Sequence, residues 1–300
     1  MRNILIIVAL ATFPTFGFSQ YYAMDYGILA GASQYLGEFG GKEKEAQPWI
    51  LDLKMGQTRY AFGGFYRYRF MDKIAVNVQY NYIRLQGADN FSTNDARVGR
   101  NLSFRNDIHE FSTRFEYYFY HVNDVGHTGR YQLDFRAYVF GGAGVFYNNP
   151  KASHESWGGY NQLRPLQTEG VEYSAMQLSI PFGVGAFYTY KKNHRFGWEF
   201  GVRKTFTDYI DDASTVYIEH KTGSIAGDYA NRYDPASGTT IGAEQYGVGA
   251  PRGNPKNKDW YMTTQFSYSY VIRGKRKFTK KQHSYLYSNK KRKRRTRAKF

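Results

Sequence analysis

Residues able to do chemistry are sparse in this sequence. Seven histidines, His109, His121, His127, His154, His194, His220 and His283, are scattered along the chain. None belongs to an HExxH pair, and neither a GxSxG nucleophile turn nor a nucleotide-binding glycine loop occurs. Cysteine is absent, which excludes disulfides, thiol catalysis, thiolate zinc sites and a lipid anchor carried on Cys. Two clusters place a base beside a hydroxyl or a carboxylate: Ser153–His154–Glu155 and Glu219–His220. Ordinary polar loop residues are the simpler reading of both. Asp208, Asp211 and Asp212 in "DYIDD" offer the hard oxygen ligands that calcium takes, and a solvated strand end is the simpler reading there. "GEFGGKEKE" follows no phosphate-loop spacing and reads as a loop. The expectation is a non-enzymatic chain with no catalytic, cofactor or metal site.

The elements that must carry these residues show a period of two. In "KIAVNVQYNYIRLQG", Ile74, Val76, Val78, Tyr80 and Tyr82 fall on one face. Ala75, Asn77, Gln79 and Asn81 fall on the other, which is the pattern of a strand with one apolar and one polar side. The same alternation sets Phe111, Thr113, Phe115, Tyr117 and Phe119 against Ser112, Arg114, Glu116 and Tyr118. It recurs over 176–186, 196–203 and 262–272, with further strands expected at 22–36, 58–70 and 131–147. The total is eight strands, most long enough for the roughly 9–11 residues a tilted strand needs to cross a bilayer.

The connections alternate in length. Long segments at 38–56, 88–104, 148–173 and 209–258 alternate with shorter turns at 71–73, "HVNDVGHTGR" and "KKNH". This predicts an all-β chain: an eight-stranded antiparallel transmembrane β-barrel with long outer loops and short periplasmic turns. A soluble sandwich or lipocalin-like barrel would point its apolar residues inward. Here the apolar face is rich in Tyr, Phe and Trp, as membrane girdles are. The other face carries Arg67, Arg69, Arg114, Glu116, Asp134, Arg136, Glu199 and Arg203, which suit a small barrel interior where they pair with one another. Eight strands leave an interior filled by side chains, so a wide pore is not expected. Some barrels of this size modify lipid A with a His at the outer rim, which is the enzymatic use that His154 and His220 could be cast for. The loop 209–258 is too long for a bare connection and suits surface interaction.

Both ends of the chain have a distinct composition. "MRNILIIVALATFPTFGFSQ" has one Arg, a short apolar run and small residues at Gly17 and Ser19, which reads as a secretory signal peptide over 1–19. The barrel is expected over 20–272 and a disordered basic tail over 273–300. The tail holds 14 of the chain's 41 Lys and Arg and no Asp or Glu, leaving 27 basic against 25 acidic residues, or +2, in 1–272 of a chain whose net charge is +16. Its densest part is Lys290, Lys291, Arg292, Lys293, Arg294, Arg295, Arg297 and Lys299. Such a run suggests nucleic acid, but an even strand number returns the tail to the periplasm, where no nucleic-acid partner is expected. An acidic periplasmic protein surface, peptidoglycan or anionic membrane lipid remain as its partners.

The first strand, "YGILAGASQYLGEF", resembles the opening strand of the PorG-like outer-membrane barrel family of Bacteroidota. The resemblance rests on Gly31, Tyr35, Gly37 and Glu38, with Glu38 standing where the family carries Asp. It implies a cell outer membrane protein of the type IX secretion and gliding machinery. The expected partners are outer-membrane lipid and periplasmic ring proteins of the PorK/PorN (GldK/GldN) type. An outer-surface binding or adhesion barrel acting through its long loops is the alternative.

Overall fold

The computed structural model describes residues 23–37, 39, 55–92, 94–122, 134–191, 193–237 and 239–273. The strands are β1 (Ala23–Leu36), β2 (Arg59–Arg69), β3 (Ile74–Ala88), β4 (Ser103–Val122), β5 (Asp134–Tyr147), β6 (Pro150–Ser153), β7 (Tyr160–Gln162), β8 (Met176–Tyr190), β9 (His194–Thr205) and β10 (Trp260–Arg273). Two short helices, α1 (Asp95–Arg100) and α2 (Ile225–Ala230), lie in long connections.

The strands run antiparallel in the order β3-β2-β1-β10-β9-β8-β5-β4, and β3 pairs with β4, so the sheet closes on itself as an eight-stranded barrel. Closure pairs both edges of each of the eight barrel strands, and a strand in hydrocarbon could not leave an edge open. The first and last strands seal the ring in full register, from Ala23↔Arg273 to Leu36↔Trp260. The chain therefore enters and leaves at the same rim, shared with the short Met71–Lys73 turn. Two extra strands, β6 and β7, form a hairpin that extends the sheet beside β4 through Arg105↔Lys151 and Asn106↔Pro150. The loop expected at 148–173 thus holds regular structure.

The alternation falls as expected. Ile28, Tyr80, Phe115, Leu178, Phe196 and Phe266 face outward and are exposed, while Ala75, Asn77, Gln79, Arg114 and Glu199 are buried inside. An apolar exterior around a polar interior is the polarity a bilayer demands and water would penalise. One bulge departs from strict alternation. The β4–β5 register shifts between Tyr118 and Tyr120, so Phe119 and Tyr120 both face outward. The extra residue adds a second aromatic ring to the girdle at the short-turn rim.

Candidate functional site

Charged residues fill the barrel in tiers. Nearest the short-turn rim, Arg136 Nε is 3.0 Å from Asp134 Oδ1 and donates through Nη1 to the Asp72 carbonyl at 2.8 Å. Arg69 lies beside this pair, and its Nε and Nη1 find no hydrogen-bond partner among the described residues. In the next tier, Asp25 accepts from Arg67 at 3.0 Å, Arg195 at 2.5 Å and Ser269 at 3.0 Å. Arg67 Nε also lies 2.7 Å from Glu116 as an ion pair without hydrogen-bond alignment. Glu116 accepts from Asn77 at 2.6 Å and from the Tyr118 hydroxyl at 2.8 Å.

Midway up, Arg114 grips Glu199 with two nitrogens, at 2.5 and 3.1 Å, while Tyr138 donates to the same carboxylate at 3.1 Å. The Arg114 guanidinium stacks 4.4 Å over the Phe140 ring. Above it, Arg203 meets Glu110 at 3.4 Å and donates to Thr263, and Tyr261 donates to Glu110 at 2.5 Å. Arg114 and Arg203 are 0% exposed, as are Gln79 and Gln265. A hydrated pore would leave such heads in water, so the described interior holds a packed polar core and no channel. Such a core is stable only when each charge is compensated, because removing one partner of a buried pair costs about 3–5 kcal/mol.

At the long-loop rim the core turns apolar. Tyr35, Phe39, Ile83, Leu85, Phe104, Ile108, Phe146 and Ile210 pack into one buried cluster. The connection between β9 and β10 folds over it as a cap. Asp208, Asp211 and Asp212 are 3%, 2% and 1% exposed, so the solvated strand end expected for "DYIDD" is corrected: the segment turns inward and its carboxylates pin the cap. The Tyr35 hydroxyl donates to Asp211 at 2.6 Å and also to Asp259. Asp259 takes the Ile210 amide at 3.0 Å.

Asp212 accepts from Thr168 and Tyr173, both at 2.6 Å. Arg252 joins it to Glu169, with Nη1 2.9 Å from Glu169 and Nη2 3.8 Å from Asp212. Arg100, at the end of α1, grips Asp89 at 2.7 and 3.0 Å and donates to the Arg252 carbonyl at 2.6 Å. Three outer connections are thus stitched into one lid. Burial pushes the Asp212 carboxyl up to about 6, against the pull of Arg252 and of its two hydroxyl donors.

The motif residues have a structural role in this lid. A side chain at Gly37 would collide with the Tyr35 hydroxyl and Asp259, and one at Gly31 would strike the Thr264 carbonyl. Glycine at these positions lets Tyr35 reach the cap and β10 pack close to β1. Glu38 lies outside the described residues, as do the tail residues Lys290, Lys291, Arg292, Lys293, Arg294, Arg295, Arg297 and Lys299, and the segment 1–22.

The histidine clusters are used locally. The His154 ring packs edge-on against Tyr229 and its Nδ1 accepts the Ser156 amide at 3.2 Å, while His220 Nε2 meets the Thr168 carbonyl at 2.9 Å. Among the described residues, no group of three His, Asp or Glu side chains is placed to hold a metal ion. Asp25, Glu110 and Arg195 were not among the charges expected inside, although their period-two phase matches Ser33, Arg114 and Glu199. Asp89, Arg100, Glu169 and Arg252 carry no local signal in the sequence.

Among solved structures, the fold is similar to that of Ail, the attachment invasion locus protein of Yersinia pestis, in complex with the heparin analogue sucrose octasulfate. The identity is 10% and the TM-score 0.37, covering 83% of this chain and 99% of that one. It is also similar to the N-terminal β-barrel domain of Pseudomonas aeruginosa OprF, at 10% identity and TM-score 0.34, over 84% of this chain and 100% of that one. A major outer membrane protein from Thermus thermophilus matches at 13% identity and TM-score 0.30, over 83% of this chain and 99% of that one. At these identities the likeness concerns the fold alone. No curated protein sequence matches this chain. The model of the family described as "Domain of unknown function (DUF6089)" matches residues 2–229.

Proposed function

We propose, for a chain that belongs to the DUF6089 family, that it is an outer-membrane barrel serving as a structural anchor of the type IX secretion and gliding machinery. In this reading the barrel holds periplasmic ring proteins of the PorK/PorN (GldK/GldN) type against the membrane and catalyses nothing. The observation that carries it is the filled interior: Arg114, Glu199, Arg203 and Glu110 are buried in mutual contact. A barrel plugged by its own ion pairs is suited to fixing a position and unsuited to conducting solutes.

The second support is where the chain leaves. Arg273 ends β10 at the short-turn rim, which this reading assigns to the periplasm, with the long loops extracellular. The basic residues after Arg273 would then hang beside the ring proteins. The 28 residues from Arg273 to Phe300 reach at most about 90–100 Å extended, and as a coil on the order of 30 Å. Their charge favours an acidic protein surface or peptidoglycan at close range and moderate salt.

Deleting Ser288–Phe300 is the test. The barrel should still insert, while co-purification of ring proteins from native membranes should fall and become less salt-sensitive. Unchanged co-purification at every salt concentration would refute the tail's role. A second reading, an outer-surface binding barrel, is favoured by Trp157, Tyr160 and Val248, which stand exposed on the ordered long loops. Loss of surface binding on loop deletion, with secretion intact, would select it.

A further inference from the structure

The outward face of the long-loop rim gathers several charges on one sector, while Lys204 of β9 stands alone over the Trp260 ring elsewhere on the rim. On β3, the apolar and aromatic run of outward residues ends at Tyr82, and the next outward residue is Arg84. From Ile74 to Tyr82 is nine residues, about the length that a tilted strand uses to cross hydrocarbon. Arg84 therefore stands at headgroup height. Beside it on β4, Arg105 and Asp107 follow the outward phase of Phe111, and Lys151 of β6 pairs across from Arg105. Three cations share one carboxylate: Arg84 Nε is 2.6 Å, Arg105 Nη2 3.2 Å and Lys151 Nζ 3.9 Å from Asp107. The cluster keeps an excess of two positive charges.

The guanidiniums are held in place before any ligand arrives. Arg84 lies 4.8 Å over the Tyr60 ring and its Nη2 meets the Tyr82 hydroxyl at 2.8 Å. Arg105 lies 4.9 Å over the Tyr160 ring. Tyr60, Phe62 and Tyr82 stack beneath as an aromatic platform, with centroids 4.9–6.2 Å apart. Arg105 Nε is buried and finds no hydrogen-bond partner among the described residues. A merely snorkelling pair of side chains would need none of this scaffold. The opposite sector differs: the outward residues near the rim on β5 and β8 are Val145, Tyr147, Met176, Leu178 and Ile180, all exposed and uncharged.

We infer that Arg84, Arg105 and Lys151 form a binding site for the phosphate of an outer-leaflet glycolipid headgroup, whose acyl chains run down the Tyr60–Phe62–Tyr82 platform. Phosphate oxygens accept charge-assisted hydrogen bonds from guanidinium and ammonium groups, and Asp107 keeps the three cations converged while leaving them in excess. A bound glycolipid would collar the barrel at the height of its lid. This rests on the long-loop rim being the outer one, which proteolysis of intact cells tests separately. Binding by the purified protein does not depend on that orientation.

The experiment uses the full chain in nanodiscs and measures binding of lipid A, of lipid A stripped of its phosphates, and of inorganic phosphate. Phosphorylated lipid A should bind at least about tenfold more tightly than the stripped lipid, as expected for charge-assisted bonds. Arg84→Gln with Arg105→Gln should abolish that preference. Lys204→Gln, on β9, should leave it intact. Heat-modifiable migration reports whether each variant retains its barrel. If the double variant fails to fold, the wild-type comparison and Lys151→Gln, expected to weaken the preference severalfold, decide. Equal binding of both lipids, a preference that survives in a folded double variant, or inorganic phosphate binding as tightly as lipid A would each overturn the assignment.

Discussion

Asp212 makes the lid sensitive to pH in a direction opposite to that of most ion-paired carboxylates. Its carboxyl is 1% exposed and pushed up to about 6 from an ordinary 3.8, with desolvation the largest cause. The groups around it are Arg252 and Glu169 at the lid seam, the hydroxyls of Thr168 and Tyr173, and its neighbour Asp211. A carboxyl whose value is raised in the closed state favours closure when protonated. That contribution is fully present below about 3.8 and is lost as pH rises through about 6. Between pH 7 and pH 5 the linkage amounts to about 1 kcal/mol, or roughly a tenfold change in the closed-to-open ratio. Hydrogen exchange of the Ala213 and Ser214 amides reports it, since these donate to Asp211 and Glu169 inside the lid. Their protection, corrected for intrinsic exchange, should rise about tenfold from pH 7 to pH 5. Asp212→Asn should flatten that dependence. Protection that is equal or lower at pH 5, or a pH profile unchanged in Asp212→Asn, would refute the reasoning.

Two further predictions concern the core and the motif. Glu199→Gln leaves the Arg114 charge buried without its carboxylate, and should cost about 3–5 kcal/mol in denaturant unfolding from detergent. The double change Arg114→Leu with Glu199→Leu should recover most of that loss, and a wild-type midpoint for the single variant would contradict the buried pair. Tyr35→Phe removes the donor shared by Asp211 and Asp259. It should loosen the lid by about 1–3 kcal/mol, seen as lower exchange protection over 207–217 with β1 to β4 unaffected. Gly37→Ala should act in the same direction by displacing the Tyr35 ring, and wild-type protection in both variants would remove Tyr35 from the lid's support.

The number of barrel strands, their phase and the direction of each face were legible in the sequence, because a strand repeats every two residues and each residue declares its side. Ile74 to Tyr82 on one face and Ala75 to Asn81 on the other needed no distant information. Arg114 and Glu199 were readable as interior charges for the same reason, and so were Asp25, Glu110 and Arg195 once phase is followed to the strand ends. Which acid meets which base was not readable. Arg114 and Glu199 are 85 residues apart, and only closure of the sheet brings them into one tier. The bulge at Phe119 was equally hidden, since alternation continues on paper whether or not a residue is extruded.

The lid shows the limit most clearly. "DYIDD" is a hydrophilic stretch, and local chemistry sends such a stretch to solvent. Tertiary structure sends it inward, because Tyr35, Thr168, Tyr173 and Arg252 converge from three separate segments to satisfy its carboxylates, beside the local Ala213 amide. A buried charge is tolerated only where several partners arrive together, and the partners' arrival is a property of the folded chain. A closed barrel with an apolar exterior follows from period and loop length alone. Only the folded chain decided that its polar interior is a sealed network, that its outer loops form a pinned lid, and that three cations meet on one sector of the rim.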